Sequence, residues 1–156
     1  MLIRPATMAD VPEIHRLINY HAEYNRMLFR SHANLYEHLR DFLVAVERTG
    51  GREQVVACTA LELTWRDLAE IKSLAVADEM RGRGIGARLV QAALDEARRL
   101  KLTRVFALTR EVKFFEKLAF RTVPRETLPH KVWTDCIQCP MQAQCDEVAM
   151  VIDLEP

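Results

Sequence analysis

Residues 68–100, LAEIKSLAVADEMRGRGIGARLVQAALDEARRL, decide how the rest of the chain is read. The segment opens as a predicted strand, turns through arginine and glycine, and continues with Ile85, Leu89, Val90, Ala93, Leu94, Ala97 and Leu100 at three- and four-residue steps. That period lays one apolar stripe along a helix. The turn Arg81-Gly82-Arg83-Gly84-Ile85-Gly86 therefore lies at a helix N-terminus, where the first N–H groups have no intrahelical acceptor and the macrodipole is positive. Such a turn suits an anion, a pyrophosphate above all, and glycine lets the backbone come close to it.

A strand-to-helix turn can also carry glycine for backbone geometry alone. Here three glycines alternate with arginines in a chain that has only five, which favours a ligand. Two nucleotide signatures are excluded. No Gly-Lys-Ser/Thr follows, so the turn is not a P-loop. Gly82, Gly84 and Gly86 are spaced G-x-G-x-G, which departs from the G-x-G-x-x-G of a dinucleotide fold.

The run from Arg81 through Gly84 to Gly86 resembles the R/Q-x-x-G-x-G/A acetyl-CoA signature of the GNAT superfamily of N-acetyltransferases, with a strand and a helix on either side as that family has them. The resemblance implies an α/β fold whose mixed, largely antiparallel central sheet is flanked by helices, and acetyl-CoA as co-substrate. It implies a pyrophosphate held behind Arg81 by the backbone of Gly82, Arg83, Gly84, Ile85, Gly86 and Ala87. It also implies a pantetheine arm that pairs like an extra strand with Leu74, Ala75 and Val76.

At 156 residues the chain is long enough for one domain with its own core, and no repeat or linker divides it. With 49% hydrophobic and 28% charged residues it reads as soluble and globular. Lysine plus arginine equal aspartate plus glutamate at 22 each, so no global charge invites nucleic acid or an anionic membrane. No apolar run nears the roughly 18 residues of a transmembrane span, and no signal-peptide pattern opens the chain. A cytoplasmic protein is expected, in which four cysteines speak for a metal site or free thiols over an extracellular disulfide framework.

Outward from the organising segment, residues 2–6 read as a first strand. Thr7, followed three residues later by Asp10 and then by Val11, Ile14, Leu17 and Ile18, reads as a capped helix running toward Tyr24. Residues 21–42, HAEYNRMLFRSHANLYEHLRDF, turn helical again from Asn34. Strand patterns at 42–47 and 54–64 flank the hairpin signal Thr49-Gly50-Gly51-Arg52, and Arg66-Asp67 is the turn into the organising strand. Beyond the helix come a strand at 104–108, a short helix at 111–118, and strands at 120–123 and 147–154.

Residues 108–124, LTREVKFFEKLAFRTVP, extend the resemblance to about residues 2–154. Where the superfamily has a tyrosine and then Gly-Phe, this chain has Phe115 and then Ala119-Phe120. A tyrosine there would protonate the departing CoA thiolate, and a phenylalanine cannot. Phe114 and Phe115 are expected to pack against pantetheine or the core. In the superfamily the region between the first two helices walls the acceptor site, which makes Tyr24, Arg26, Arg30 and His32 candidates for substrate contact; the alternative is a solvated helix pair.

Acetyl transfer from a thioester needs a neutral amine, and an α-amino group has a pKa of roughly 8. Something must accept a proton, and Glu70 is the leading candidate, with Glu62 in reserve. Strand alternation is expected to place Glu70, Lys72, Leu74 and Val76 on one face. Ala69-Glu70-Ile71 is similar to the segment that carries the general-base glutamate of histone acetyltransferases in the superfamily; the alternative is that Glu70 only pairs with Lys72 or an arginine. Backbone N–H groups near Leu74, Ala75 and Val76 can receive the charge on the acyl oxygen. No Ser/His/Asp triad is legible.

Residues 124–146 form a long segment without clear periodicity. It holds Cys136-Ile-Gln-Cys139 and Cys145, which admit part of a zinc site with His130, Asp135 or water as fourth ligand, a disulfide, or free thiols. The combination AEIKSLAV, RGRGIGARLV, FFEKLAF and HKVWTDCIQCPMQAQCDEVAMV resembles the short single-domain amino-acid N-acetyltransferases grouped with N-acetylglutamate synthase. That implies L-glutamate as acceptor, at the entry to arginine biosynthesis, with Lys72, Arg26, Arg30, Arg110 and Lys113 available for a dicarboxylate. Acetylation of another small amine or a protein N-terminus, and a non-catalytic acyl-CoA sensor, are the competing functions. The expected partner is a small amino acid, with a homodimer as the candidate assembly.

Overall fold

Seven strands form one sheet in the order β1-β2-β3-β4-β5-β7-β6 in the computed structural model, which describes residues 1–129 and 146–155. In chain order the elements are β1 (Leu2–Pro5), α1 (Val11–Glu23), α2 (His32–Glu37), β2 (Phe42–Thr49), β3 (Arg52–Trp65), β4 (Leu68–Val76), α3 (Ile85–Arg99), β5 (Arg104–Thr109), α4 (Val112–Glu116), β6 (Arg121–Val123) and β7 (Val148–Asp153). Neighbours in the sheet run antiparallel except β4 and β5, which α3 joins by a crossover. The fold is the mixed, largely antiparallel α/β sheet that the sequence pattern predicts. No helix of the described residues is long and apolar enough to cross a membrane.

Two helical stripes build the layers. Val11, Ile14, Leu17 and Ile18 of α1 pack on Val44, Cys58, Ala60 and Ala75. On the opposite face α3 buries Ile85 and Leu89 against Ala45 and Ala57, and Val90, Ala93, Leu94 and Ala97 against Leu61, Ala69 and Ile71. Leu100, predicted to close the α3 stripe, is instead 39% exposed. The helix ends one residue earlier, with Lys101 in the left-handed region (φ 65°), and the N–H groups of Leu102 and Lys101 donate to the Ala97 and Arg98 carbonyls, both at 3.0 Å. That reversal brings Leu102 into the core in place of Leu100. The same closure ends α4: Phe120 and Ala119 donate to Phe115 and Glu116 at 3.0 Å, with Ala119 at φ 71°, so alanine takes the left-handed position that glycine occupies in the resembling motif.

The local event that shapes the centre of the sheet is a bulge in β4. Cys58 pairs with Ala75 but Ala60 pairs with Lys72, so Ser73 and Leu74 together face Thr59, and Ser73 adopts φ 54°. One extra residue reverses the alternation of side chains. Glu70 and Lys72 therefore lie on the α1 face, opposite Glu62 and Ala60, whereas Leu74 and Val76 pack on the α3 face. The expected single face for these four residues is overturned for this reason.

A second consequence follows from pairing. β4 and β5 are matched only at Leu68↔Arg104, Ala69↔Val105 and Glu70↔Phe106. Beyond Glu70 the two strands have no further rungs, which opens a cleft of about 1920 Å³ across the sheet.

Candidate active site

The cleft is lined on one side by the turn before α3. Gly82 and Gly84 have φ 77° and 76°, and a Cβ at either would meet nothing within 4 Å. Both therefore present bare backbone to open space. The first bond of α3 runs from Arg88 N–H to Gly84 C=O at 3.1 Å, so the amides of Ile85, Gly86 and Ala87 have no intrahelical acceptor, and all three residues line the cleft. A Cβ at Gly86 would touch the Phe114 ring at 3.5 Å, which places Phe114 as the cover of this cradle. Phe115 is 4% exposed, with ring centroids 5.0 Å from both Phe114 and Phe120, and serves chiefly as core. The Arg81 side chain borders the cleft, while Arg83 is exposed and does not.

The open edge of β4 is defined by three peptide groups. Ala77 N–H donates to Val56 C=O at 2.9 Å, and Ala57 pairs with Val76, so Val76 belongs to a non-hydrogen-bonded rung and its own N–H and C=O point away from β3. By the same alternation the Leu74 carbonyl points outward and Ala75 is engaged with β3. The Ser73 carbonyl is turned toward β3, where Cys58 Sγ donates to it at 3.6 Å. The Ser73–Leu74 peptide is trans, so the following N–H, that of Leu74, points the opposite way, into the split. Leu74 and Val76 thus offer backbone partners to an extended ligand, and Ala75 does not. Burial pushes the Cys58 thiol up to about 12.

The α1 face carries the polar groups. Glu70 is 9% exposed and sits at the last β4–β5 rung, where the split begins. Glu62 lies across from it and is bound by Lys72 Nζ at 2.9 Å. Arg30 is fixed from four sides. Asn19 grips its backbone with two hydrogen bonds of 3.0 Å, its Nε donates to Asn34 at 2.7 Å, its Nη1 donates to Ser73 Oγ at 3.1 Å, and its guanidinium stacks 5.0 Å over Phe42. Nearby, burial raises the Asp41 carboxyl above its ordinary range, partly offset by His38.

Not every predicted contact gathers here. Arg30, Lys72 and Arg110 line the cleft, with Arg110 donating to Asn25 C=O at 2.8 Å and bound to Asp146. Lys113 is exposed on α4 outside the lining, where Lys117 stands instead. Arg26 lines the cleft but beside Asp78 and Arg81, at the threshold of the glycine turn. Tyr24 is exposed and His32 stacks on His15 at 3.7 Å, outside the lining. His21 and Ser73, which sequence reasoning passed over, do line it; neither stands in a recognisable motif. Among the described residues no three metal-binding side chains converge. The zinc reading of Cys136, Cys139 and Cys145, with His130 or Asp135, lies outside the described residues.

The chain is similar to several known proteins. The family model described as "Acetyltransferase (GNAT) family" matches residues 8–120. An N-acetyltransferase of Chlorobaculum tepidum, described as uncharacterized, is 40% identical over 149 residues, 96% of this chain and 94% of that one. The amino-acid acetyltransferase of Mycobacterium tuberculosis is 39% identical over 122 residues, 78% of this chain and 69% of its own length. The crystal structure of N-acetylglutamate synthase from Neisseria gonorrhoeae, complexed with coenzyme A and N-acetyl-glutamate, superposes with a TM-score of 0.86 at 28% identity, over 99% of this chain and 35% of that one.

Proposed function

This chain belongs to the acetyltransferase (GNAT) family, and from that premise we propose that it transfers the acetyl group of acetyl-CoA to the α-amine of L-glutamate, giving N-acetylglutamate and CoA. It is an acetyl-CoA-dependent amino-acid N-acetyltransferase; glutamate is the finer part of the reading. The observation that carries it is the position of Glu70, a buried carboxylate at the point where β4 and β5 part, in the cleft that the glycine turn and the fixed Arg30 also line.

The diphosphate lies on the amides of 85–87 against Gly82 and Gly84, and pantetheine runs along Leu74 C=O and Val76 N–H. The acetyl group then reaches the bulge. The acceptor enters from the α1 face, where Arg30 and Lys72 take its carboxylates; a guanidinium held in plane suits a carboxylate better than a mobile ammonium does. Glu70 removes a proton from the ammonium. The freed nitrogen pair forms a C–N bond to the thioester carbon, and the Leu74 N–H stabilises the resulting oxyanion. Collapse breaks the C–S bond, the thiolate departs with its electron pair, and the surplus proton left on the nitrogen passes to that thiolate or to solvent, so no acid is needed at Phe115. Arginine biosynthesis and a cytoplasmic site of action accompany the glutamate reading.

The test is CoA thiol release with a panel of amino acids and polyamines. L-Glutamate is expected to show the highest kcat/KM, with L-glutamine or L-aspartate below it and polyamines inactive, because cationic acceptors meet Arg30 and Lys72. A polyamine or neutral amino acid as best substrate would replace the glutamate assignment and leave the family assignment intact.

A further inference from the structure

Arg26 is held by two groups that have no other reason to meet. Its Nη1 donates to His21 Nδ1 at 3.0 Å and lies 3.7 Å from Asp78 Oδ1, the oxygen that Arg81 Nε approaches at 3.4 Å. A guanidinium has no acceptor atom, so His21 Nδ1 accepts and its Nε2–H donates, to Val76 C=O at 2.8 Å. A single tautomer satisfies both bonds. His21 is 5% exposed, so this small relay is buried and fixes Arg26 relative to the open edge of β4. The Arg26 guanidinium also stacks 4.8 Å over the Tyr24 ring.

The other end of the arrangement is loose. Arg26, Arg81 and Asp78 are all substantially exposed, and ion pairs of this length in water contribute little. Asp78 also accepts from the Tyr20 hydroxyl of α1, a bond that lowers its carboxyl below the ordinary range and raises the phenol to about 12. That bond keeps Asp78 satisfied if either guanidinium leaves. Two cations thus share one carboxylate oxygen immediately before the glycine turn, and Asp78 stands where an incoming anion can outcompete it.

We propose that Arg26 is a side-chain arm of the CoA site, exchanging Asp78 for the diphosphate of acetyl-CoA when it binds, and that His21 is the positioning residue that holds it for that exchange. The backbone amides of 85–87 take the diphosphate from α3, and Arg26 takes it from the segment between α1 and α2. A planar fork of N–H donors fits two phosphate oxygens. This replaces the acceptor role expected for Arg26, and it rests on the placement of the diphosphate at residues 82–87.

Calorimetry with CoA tests it without turnover. Arg26→Ala removes an exposed side chain and is expected to raise the Kd for CoA about tenfold or more, the loss of one charge-assisted bond. Its kcat/KM with S-acetylpantetheine, which lacks the diphosphate, and its KM for the acceptor should match wild type. His21→Leu should reproduce the loss, the double variant should be no worse than either single one, and His21→Gln, which keeps a donor and an acceptor, should restore most of the affinity. An unchanged Kd in Arg26→Ala overturns the role of Arg26. So does an equal loss with S-acetylpantetheine or a raised acceptor KM, either of which returns Arg26 to the acceptor. His21→Leu that lowers only the melting temperature overturns the relay. Wild-type protein that fails to bind CoA would overturn the reading of the cleft itself.

Discussion

Glu70→Gln is expected to lower turnover about 100-fold or more, with the affinity for CoA unchanged. The substitution keeps volume and hydrogen-bonding reach at a buried position and removes only the ability to take a proton. Glu70 lies on the α1 face and Leu74 and Val76, the proposed CoA partners, are oriented by the bulge toward the split and the α3 face, so the two proposed ligand sites are separable by mutation. The deficit should also depend on pH. An α-amine with a pKa of roughly 8 loses its proton to solvent as pH rises, so a variant lacking the base should recover activity in alkaline solution while wild type is already near its plateau. Steady-state thiol release across pH, with calorimetry alongside, checks both parts. Turnover near wild type at neutral pH would move the base to Glu62 or to water.

Gly84→Val should abolish measurable acetyl-CoA binding or weaken it about 100-fold, the equivalent of losing two charge-assisted hydrogen bonds. Its backbone lies at φ 76° and its missing Cβ points into the open cleft, so a side chain adds strain and also fills the space of the diphosphate. The two effects can be divided with a control. Gly51, in the β2–β3 turn, has φ 79° and an equally open Cβ direction, and it lies outside the cleft. Gly51→Val and Gly84→Val should therefore lose similar stability, about 1–3 kcal/mol for a strained left-handed residue. Only the second should lose CoA. Equal CoA affinity in both variants would take the diphosphate away from this turn.

What was legible in the sequence, and what was not, divides along physical lines. The helical stripe from Ile85 to Ala97 and the strand-like runs on either side of the Gly50-Gly51 turn are local signals, and they place most elements within a few residues. The glycine turn is legible because left-handed backbone at Gly82 and Gly84 leaves a chemical mark. Ser73 leaves none: a serine at φ 54° belongs to the bulge where β3 and β4 shift register, and that bulge decides which face Glu70 shares. Lys113 and Lys117 are both lysines on or beside one short helix, and only packing selects Lys117 for the cleft. Arg26 reads as an acceptor contact from the region that holds it, and its contact with His21, five residues earlier and on another element, is visible only in the folded chain. Register, bulges and side-chain relays are tertiary facts, and a single sequence carries them only through the residues they happen to require.

On the proposed function, one cleft brings the acetyl group of acetyl-CoA to the α-amine of glutamate. Incubating the enzyme with acetyl-CoA carrying a ¹³C-labelled carbonyl and an equimolar mixture of amino acids and polyamines, then following the label by NMR, tests it most directly. The expected result is a single amide carbonyl, that of N-acetylglutamate, appearing in step with CoA thiol and about 100-fold more slowly with Glu70→Gln at neutral pH. Label on a polyamine, on another amino acid in preference to glutamate, or only in acetate would contradict it.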